Sequence, residues 1–328
     1  MTARSALAAA AVLALLGTGA GCEGEGSEAS EPAVASSAQR WKPLAPATLR
    51  RTEVGAARIG RFIYVVGGFI PSTETTAAVE RYDIERDRWR RLPAMPVAVN
   101  HPAVASHRGR LYVYGGYTDS SFDPVTGTLQ RFDPRSGSWV QLQASAQPRA
   151  AAAMAGIGGK LYAAGGVAGG EVLATLEVFE LRRGRWSAGP SMEVAREHVA
   201  AIAAAGRIYV FGGRSPNLDV VESFRPGSGG WRREPPLRKA RSGIAAATVK
   251  GKPVVFGGEE EAGTIRPVEL FDPGERRWHR LPGMRTPRHG LGAAALGRRV
   301  YALQGGPQPG FAFSGAIEYL DVPRRLLR

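Results

Sequence analysis

An apolar stretch closed by a glycine doublet recurs six times in the 328 residues, at 62–68, 111–116, 161–166, 208–213, 254–258 and 300–306. The first glycines of the doublets fall at 67, 115, 165, 212, 257 and 305, a spacing of 45 to 50 residues throughout. After each doublet comes an apolar–polar–x–aromatic quartet, starting at Val79, Leu129, Leu176, Val221 and Val268, with a looser version at 317–320. In the first five units a tryptophan follows that aromatic by seven residues: Trp89, Trp139, Trp186, Trp231 and Trp278. The sixth tryptophan, Trp41, precedes the first unit and lies 48 residues ahead of Trp89. A period of this length marks a supersecondary module that buries its apolar face only by packing against its neighbours. Short apolar runs bounded by glycine and rich in Val, Ile and Tyr are strands, and the flanking periodicity excludes amphipathic helices for the alanine runs.

The order of apolar strand, Gly-Gly, aromatic and Trp resembles the kelch repeat over roughly residues 41–328. The resemblance implies an all-β fold, a six-bladed propeller with one four-stranded antiparallel sheet per blade. Trp41 then belongs to the outer strand of the last blade, so the two ends of the repeat region close the ring and leave no exposed edge. The innermost strands read VGAARI, PAVAS, AAAMAGI, VAAIAAA, GIAAATV and LGAAALG. Small side chains are expected where six strands converge on one axis. The glycine doublets and tryptophans are read as structural, the former for φ values that side chains resist.

Three segments follow: an export signal at 1–22, a flexible linker at 23–40 and the propeller at 41–328. The first carries Arg4, an apolar run at 6–16 too short to span a membrane, and small residues leading to Cys22. That arrangement resembles the lipidation site of bacterial lipoproteins, although Gly19 stands where that family usually has Leu. The linker is rich in Ser, Ala and Glu and cannot bury enough surface to order itself. Cys22 is the single cysteine, which excludes a disulfide framework, cysteine-clustered metal sites and, once processed to a terminus, a Tyr–Cys copper cofactor of the kind some kelch oxidases use. The expected location is the cell envelope, with a lipid anchor as the membrane contact; export removes the chain from nucleic acid, so none is expected as a partner despite a net charge of +14.

The turn between aromatic and Trp keeps its length, while the loops after Gly-Gly (69–78, 117–128, 167–175, 214–220, 259–267 and 307–316) differ. Variable loops on a rigid scaffold are where recognition concentrates. The approaches to the inner strands lie on that face and carry Arg51, Arg149, Arg196, Arg241 and Arg288 at one repeat position, with Val99 in the second blade. Glu80, Glu177, Glu222, Glu269 and Glu318 share another position, where the second blade has Gln130. Loss of both partners in one blade favours a structural Arg–Glu pair; arginines left unneutralised would instead draw carboxylates into the pore mouth. His101 and His198 occupy the position two after the arginine, and Glu53 is their equivalent in the first blade. The expected ligand-binding set is therefore Arg51, Arg149, Arg196, Arg241, Arg288, His101 and His198, for a protein, acidic peptide or acidic glycan. No metal or cofactor is assigned, because none of the five histidines pairs at metal-ligand spacing. No catalytic residue is assigned either. Glu53, His101, His198 and Arg196 are nevertheless groups that acid–base chemistry needs, and the resemblance extends to kelch propellers that act as sialic-acid mutarotases.

Overall fold

The computed structural model describes residues 40–214 and 216–328. The proposed export signal, Cys22 and all of the linker but its last residue lie outside the described residues. Six antiparallel sheets follow one another in chain order. In the first blade the strands Gly55–Ile59, Phe62–Val66, Val79–Asp83 and Arg88–Leu92 run from innermost to outermost. The next four blades repeat this order, and the fifth adds the two-residue strand Gly263–Thr264 at the loop end of Lys252–Glu260. The sixth blade takes Gly292–Leu296, Arg299–Leu303 and Ile317–Asp321 from the carboxyl end and Lys42–Pro43 from the start of the fold. Lys42 pairs with Tyr319 and Pro43 with Glu318, so the ring is closed by the amino-terminal strand.

The tryptophans clamp neighbouring blades. Each packs on the aromatic seven residues earlier, with ring centroids 5.0–5.5 Å apart in the first five blades. Each indole N–H also crosses to a backbone carbonyl of the preceding blade: Trp89 to Ala45, Trp139 to Pro93, Trp186 to Gln143, Trp231 to Pro190 and Trp278 to Pro235. Trp41 completes this outer belt by donating to Pro282 at 2.9 Å and packing on Phe256. The second strands fill the space between blades with buried Val, Ile, Leu and Tyr side chains, while alanines of the innermost strands face the axis.

One register differs from the sequence reading. In blades one to five the first glycine of the doublet has φ of 55–69° and the second 89–108°. In the sixth blade Gln304 (φ 55°) and Gly305 (φ 91°) hold these places, not Gly305 and Gly306. The Gln304 amide donates to Ala316 and the Gly305 amide to Arg51, which are the bonds that Gly67 and Gly68 make to Ala78 and Val99. The second glycine of the apparent doublet therefore begins the loop, where Phe69 and Tyr117 stand in the first two blades.

Candidate functional site

The five repeated arginines are completely buried. Each meets its glutamate: Arg51–Glu80 at 2.9 Å, Arg149–Glu177 at 3.1 Å, Arg196–Glu222 at 2.8 Å, Arg241–Glu269 at 3.0 Å and Arg288–Glu318 at 3.3 Å. The guanidinium also caps carbonyls at the sheet end, as Arg51 does at Gly67 and Ala78. The glutamate receives, besides the guanidinium, an amide or hydroxyl of the incoming chain, as Glu222 receives the Glu193 N–H. Burial pulls the pKa of Arg51 and Arg196 down to about 10 against the pull of their glutamates, which still leaves both charged at neutral pH. In the second blade Gln130 makes the same backbone contacts without charge, accepting from and donating to Val97, and Val99 replaces the arginine. The arginines thus offer no surface to a ligand, because their charge and donors are spent inside the blades.

The position two residues later builds the mouth. Glu53, His101, Ala151, His198, Gly243 and Gly290 all take a left-handed backbone, with φ of 52–61°. This conformation costs a non-glycine residue about 1 kcal/mol. It lets each N–H donate to the same residue of the preceding blade: His101 to Glu53, Ala151 to His101, His198 to Ala151, Gly243 to His198 and Gly290 to Gly243, at 2.8–3.1 Å. The Val54 amide donates to Gly290 and closes the hoop. Glu53, His101 and His198 therefore stand on one rigid ring around the axis.

Gly290 completes that ring without a side chain, since a Cβ there would sit 2.3 Å from Glu53 Oε1. Glu53 Oε2 lies 3.2 Å from His101 Nε2, and Glu53 Oε1 lies 3.1 Å from Nδ1 of His289. The His101 and His198 rings meet edge to face, 4.7 Å apart. Arg214 bonds Glu197 at 2.6 Å, comes within 3.6 Å of Glu259 and reaches His198 Nε2 at 3.2 Å. Burial opposes the Glu53 carboxylate, yet the imidazoles, His101 first and His289 through its hydrogen bond, hold it ionised well below the usual range. Burial is the larger influence on His101 and lowers it to about 3 in spite of Glu53. Burial also opposes charge on His289, but Glu53 and then Glu259 overcome it and raise its pKa. The surroundings thus favour positive charge on His289 and oppose it on His101.

Above the ring opens a cavity of about 380 Å³. One wall is aromatic: Phe69 lies 5.8 Å from Phe122 and 5.1 Å from Phe311, and His101 lies 5.7 Å from Phe122. The other carries Arg214, Asn217 and the run Glu259, Glu260 and Glu261. The walls come from loops of the first, second, fourth, fifth and sixth blades, on the face where the chain approaches the inner strands. Carboxylates outnumber cations there, so the positive mouth expected from the arginines is replaced by an acidic one. The sequence reading passed over His289, Arg214 and the glutamate run. His289 precedes the ring position by one residue, and its side chain fits because residue 306 is glycine: a Cβ there would lie 2.4 Å from His289 Nε2. Arg214 and Glu259 directly follow their glycine doublets, at the place Phe69 and Tyr117 occupy, so aligning the repeats one residue further would have found them.

Two family models match the chain: the KLHDC2/KLHL20/DRC7 Kelch-repeats domain over residues 53–194 and the Kelch motif over 195–238. The chain belongs to the kelch-repeat family. Among curated proteins it is similar to Kelch-like protein 34 of Homo sapiens, 34% identical over 153 residues that make up 43% of this chain and 24% of that protein. It also resembles Kelch-like protein terF of Aspergillus terreus, 27% identical over 53% of this chain and 42% of the relative. The matched residues span less than half the length of these relatives. Among solved structures, that of YjhT superposes with a TM-score of 0.71 at 16% identity, over 83% of this chain and 95% of the other, and shares its fold.

Proposed function

We propose that this kelch propeller is a protein-binding module that holds a segment of its partner on the loop face. An apolar side chain of that segment packs on Phe122 and Phe311, and its basic side chains lie beside Glu259, Glu260 and Glu261. The observation that carries this reading is the placement of the exposed aromatics. Phe122 and Phe311 are 45% and 49% exposed and stand 6.1 Å apart at the rim of the cavity above the ring of Glu53, His101 and His198. Exposed large apolar groups gathered at a polar mouth mark interaction sites, and kelch domains generally mediate protein–protein contacts. The lining favours a basic segment over the acidic ligand that net charge alone suggests. The test is fluorescence anisotropy with two labelled peptides, one alternating Phe with Lys and one alternating Phe with Glu. Salt-sensitive binding of the first, lost with Phe122→Ala and Phe311→Ala combined, supports the reading; preference for the second restores the anionic one.

A sugar mutarotase is the second reading, favoured by Glu53 lying between His101 and His289 under an aromatic wall. Opening a cyclic sugar requires one group to take the anomeric hydroxyl proton and another to protonate the ring oxygen. Arg214, rather than the buried Arg196, is the cation a sugar carboxylate would meet. Anomer exchange of sialic acid followed by NMR, with and without the protein, separates the two readings. Export and anchoring through Cys22 complete the proposal; the support is the apolar run and small residues ahead of the single cysteine.

A further inference from the structure

We infer that Glu53, His101 and His198 form a binding site for one divalent first-row transition metal at the centre of the ring, with an open coordination position toward the cavity. Each residue offers a ligand atom, and these atoms lie within 4.8 Å of one another. Hydrogen bonding fixes which nitrogen each imidazole presents. The Asn100 amide nitrogen donates to Thr75 Oγ1 at 2.7 Å and to the Asp119 carbonyl at 2.9 Å, which turns its Oδ1 toward His101 Nδ1, 2.6 Å away. His101 therefore carries its proton on Nδ1, and the lone pair of Nε2 faces the Glu53 carboxylate. Two electron-rich atoms at 3.2 Å call for a cation between them.

His198 repeats the arrangement. Its Nδ1 donates to Glu197, and its Nε2 accepts from Arg214. A histidine that ligates a metal characteristically donates its other ring N–H to a fixed acceptor, which sets tautomer and orientation. Asn100 and Glu197 are those acceptors, each one residue ahead of the histidine it holds. Two imidazoles and one carboxylate with a free position make up a donor set suited to Zn²⁺ or Fe²⁺. The backbone hoop holds the three residues in place before any ion arrives, and Arg214, 42% exposed, yields His198 Nε2 while keeping its Nε bond to Glu197. Three carboxylates, Glu53, Glu197 and Glu259, against the Arg214 guanidinium and the His289 imidazole leave the surroundings net negative, as a dication needs. This inference stands on the ring geometry and is independent of what the loop face binds.

The test uses the full chain made without a polyhistidine tag, stripped with EDTA and titrated with Zn²⁺ by calorimetry and with Co²⁺ by visible absorption. One equivalent is expected, with the strong visible band of four- or five-coordinate cobalt. Glu53→Gln and His101→Ala should each raise the Kd at least tenfold, and Asn100→Ala, which leaves all three ligands in place, by about 10- to 100-fold. His279→Ala, which breaks the outer group of Asp272, Glu275 and His279, should leave the affinity unchanged. Circular dichroism melts identify any variant that fails to fold, and the cobalt spectrum of the unmutated chain stands apart from them. Absence of saturable binding by that chain, a cobalt spectrum of the six-coordinate aquo type, or binding that survives Glu53→Gln with His101→Ala overturns the inference.

Discussion

Arg196 and Glu222 have no exposed side-chain surface, so each neutralises a charge that water cannot reach. Removing one partner of such a pair typically costs about 3–5 kcal/mol, whereas replacing both can be nearly neutral. Arg196→Ala is therefore expected to destabilise strongly in urea melts, while Arg196→Val with Glu222→Gln, copying the second blade, should recover more than half of the loss. Equal losses would deny the pairing its role. Gly290→Ala tests the ring in the same way. Its Cβ meets the Glu53 carboxyl at 2.3 Å and the Glu53 amide at 2.8 Å, whereas Gly60, at a similar φ of 61°, has open space around it. Gly60→Ala should cost about 1 kcal/mol from backbone strain alone, and Gly290→Ala clearly more. Equal shifts in melting temperature would show that Glu53 simply moves aside. The ring position was legible in part: Glu53, His101 and His198 share a repeat offset. Its left-handed backbone was not, because Ala151 takes the same φ of 52° with nothing in its side chain to announce it.

The loops are elements of a different kind from the blades they cap. Loop 117–128 carries Phe122, and the loop that begins at Gly306 carries Phe311; both lean over Phe69, which is buried beneath them. Their tips are exposed, so Phe122→Ala and Phe311→Ala should change stability by less than about 0.5 kcal/mol each. If the rim is the contact, the pair should weaken binding of the Lys–Phe peptide by more than tenfold. Unchanged affinity in a normally folded double variant would move the contact elsewhere. Variable loop length pointed to this face, and the cavity lies there. The sign of its charge was not legible from the repeat. It depends on Arg214 and Glu259–Glu260–Glu261, which reach the same space from different blades, and on arginines that turn inward instead of toward the axis.

A propeller is only as stable as its closure, because the blades have few contacts beyond their neighbours. Trp41 makes the closing indole bond and packs on Phe256, and the strand after it completes the sixth sheet. Trp41→Ala is therefore expected to cost about 3–5 kcal/mol and to broaden the thermal transition, since the amino-terminal strand that closes the sixth blade loses its hold on Pro282 and Phe256 of the fifth. A melt as sharp and as high as that of the unmutated chain would show that closure depends on the strand pairing alone. For the molecule in its cell, Cys22→Ala should shift the protein from the membrane to the soluble fraction, because a diacylated residue anchors far more firmly than a single chain; unchanged fractionation removes the lipid anchor. The repeat itself determined the blade count, the strand order and the latch at Trp41, because apolar period, glycine and tryptophan each answer a local demand that every blade repeats. Register in the sixth blade was decided by tertiary contact: Gln304 replaces a glycine because its side chain reaches the buried Glu80 of the first blade. The mouth was decided in the same way. Glu53, His101, His198 and His289 are 48 to 236 residues apart along the chain, and only closure of the ring about one axis turns separate repeat positions into a single site.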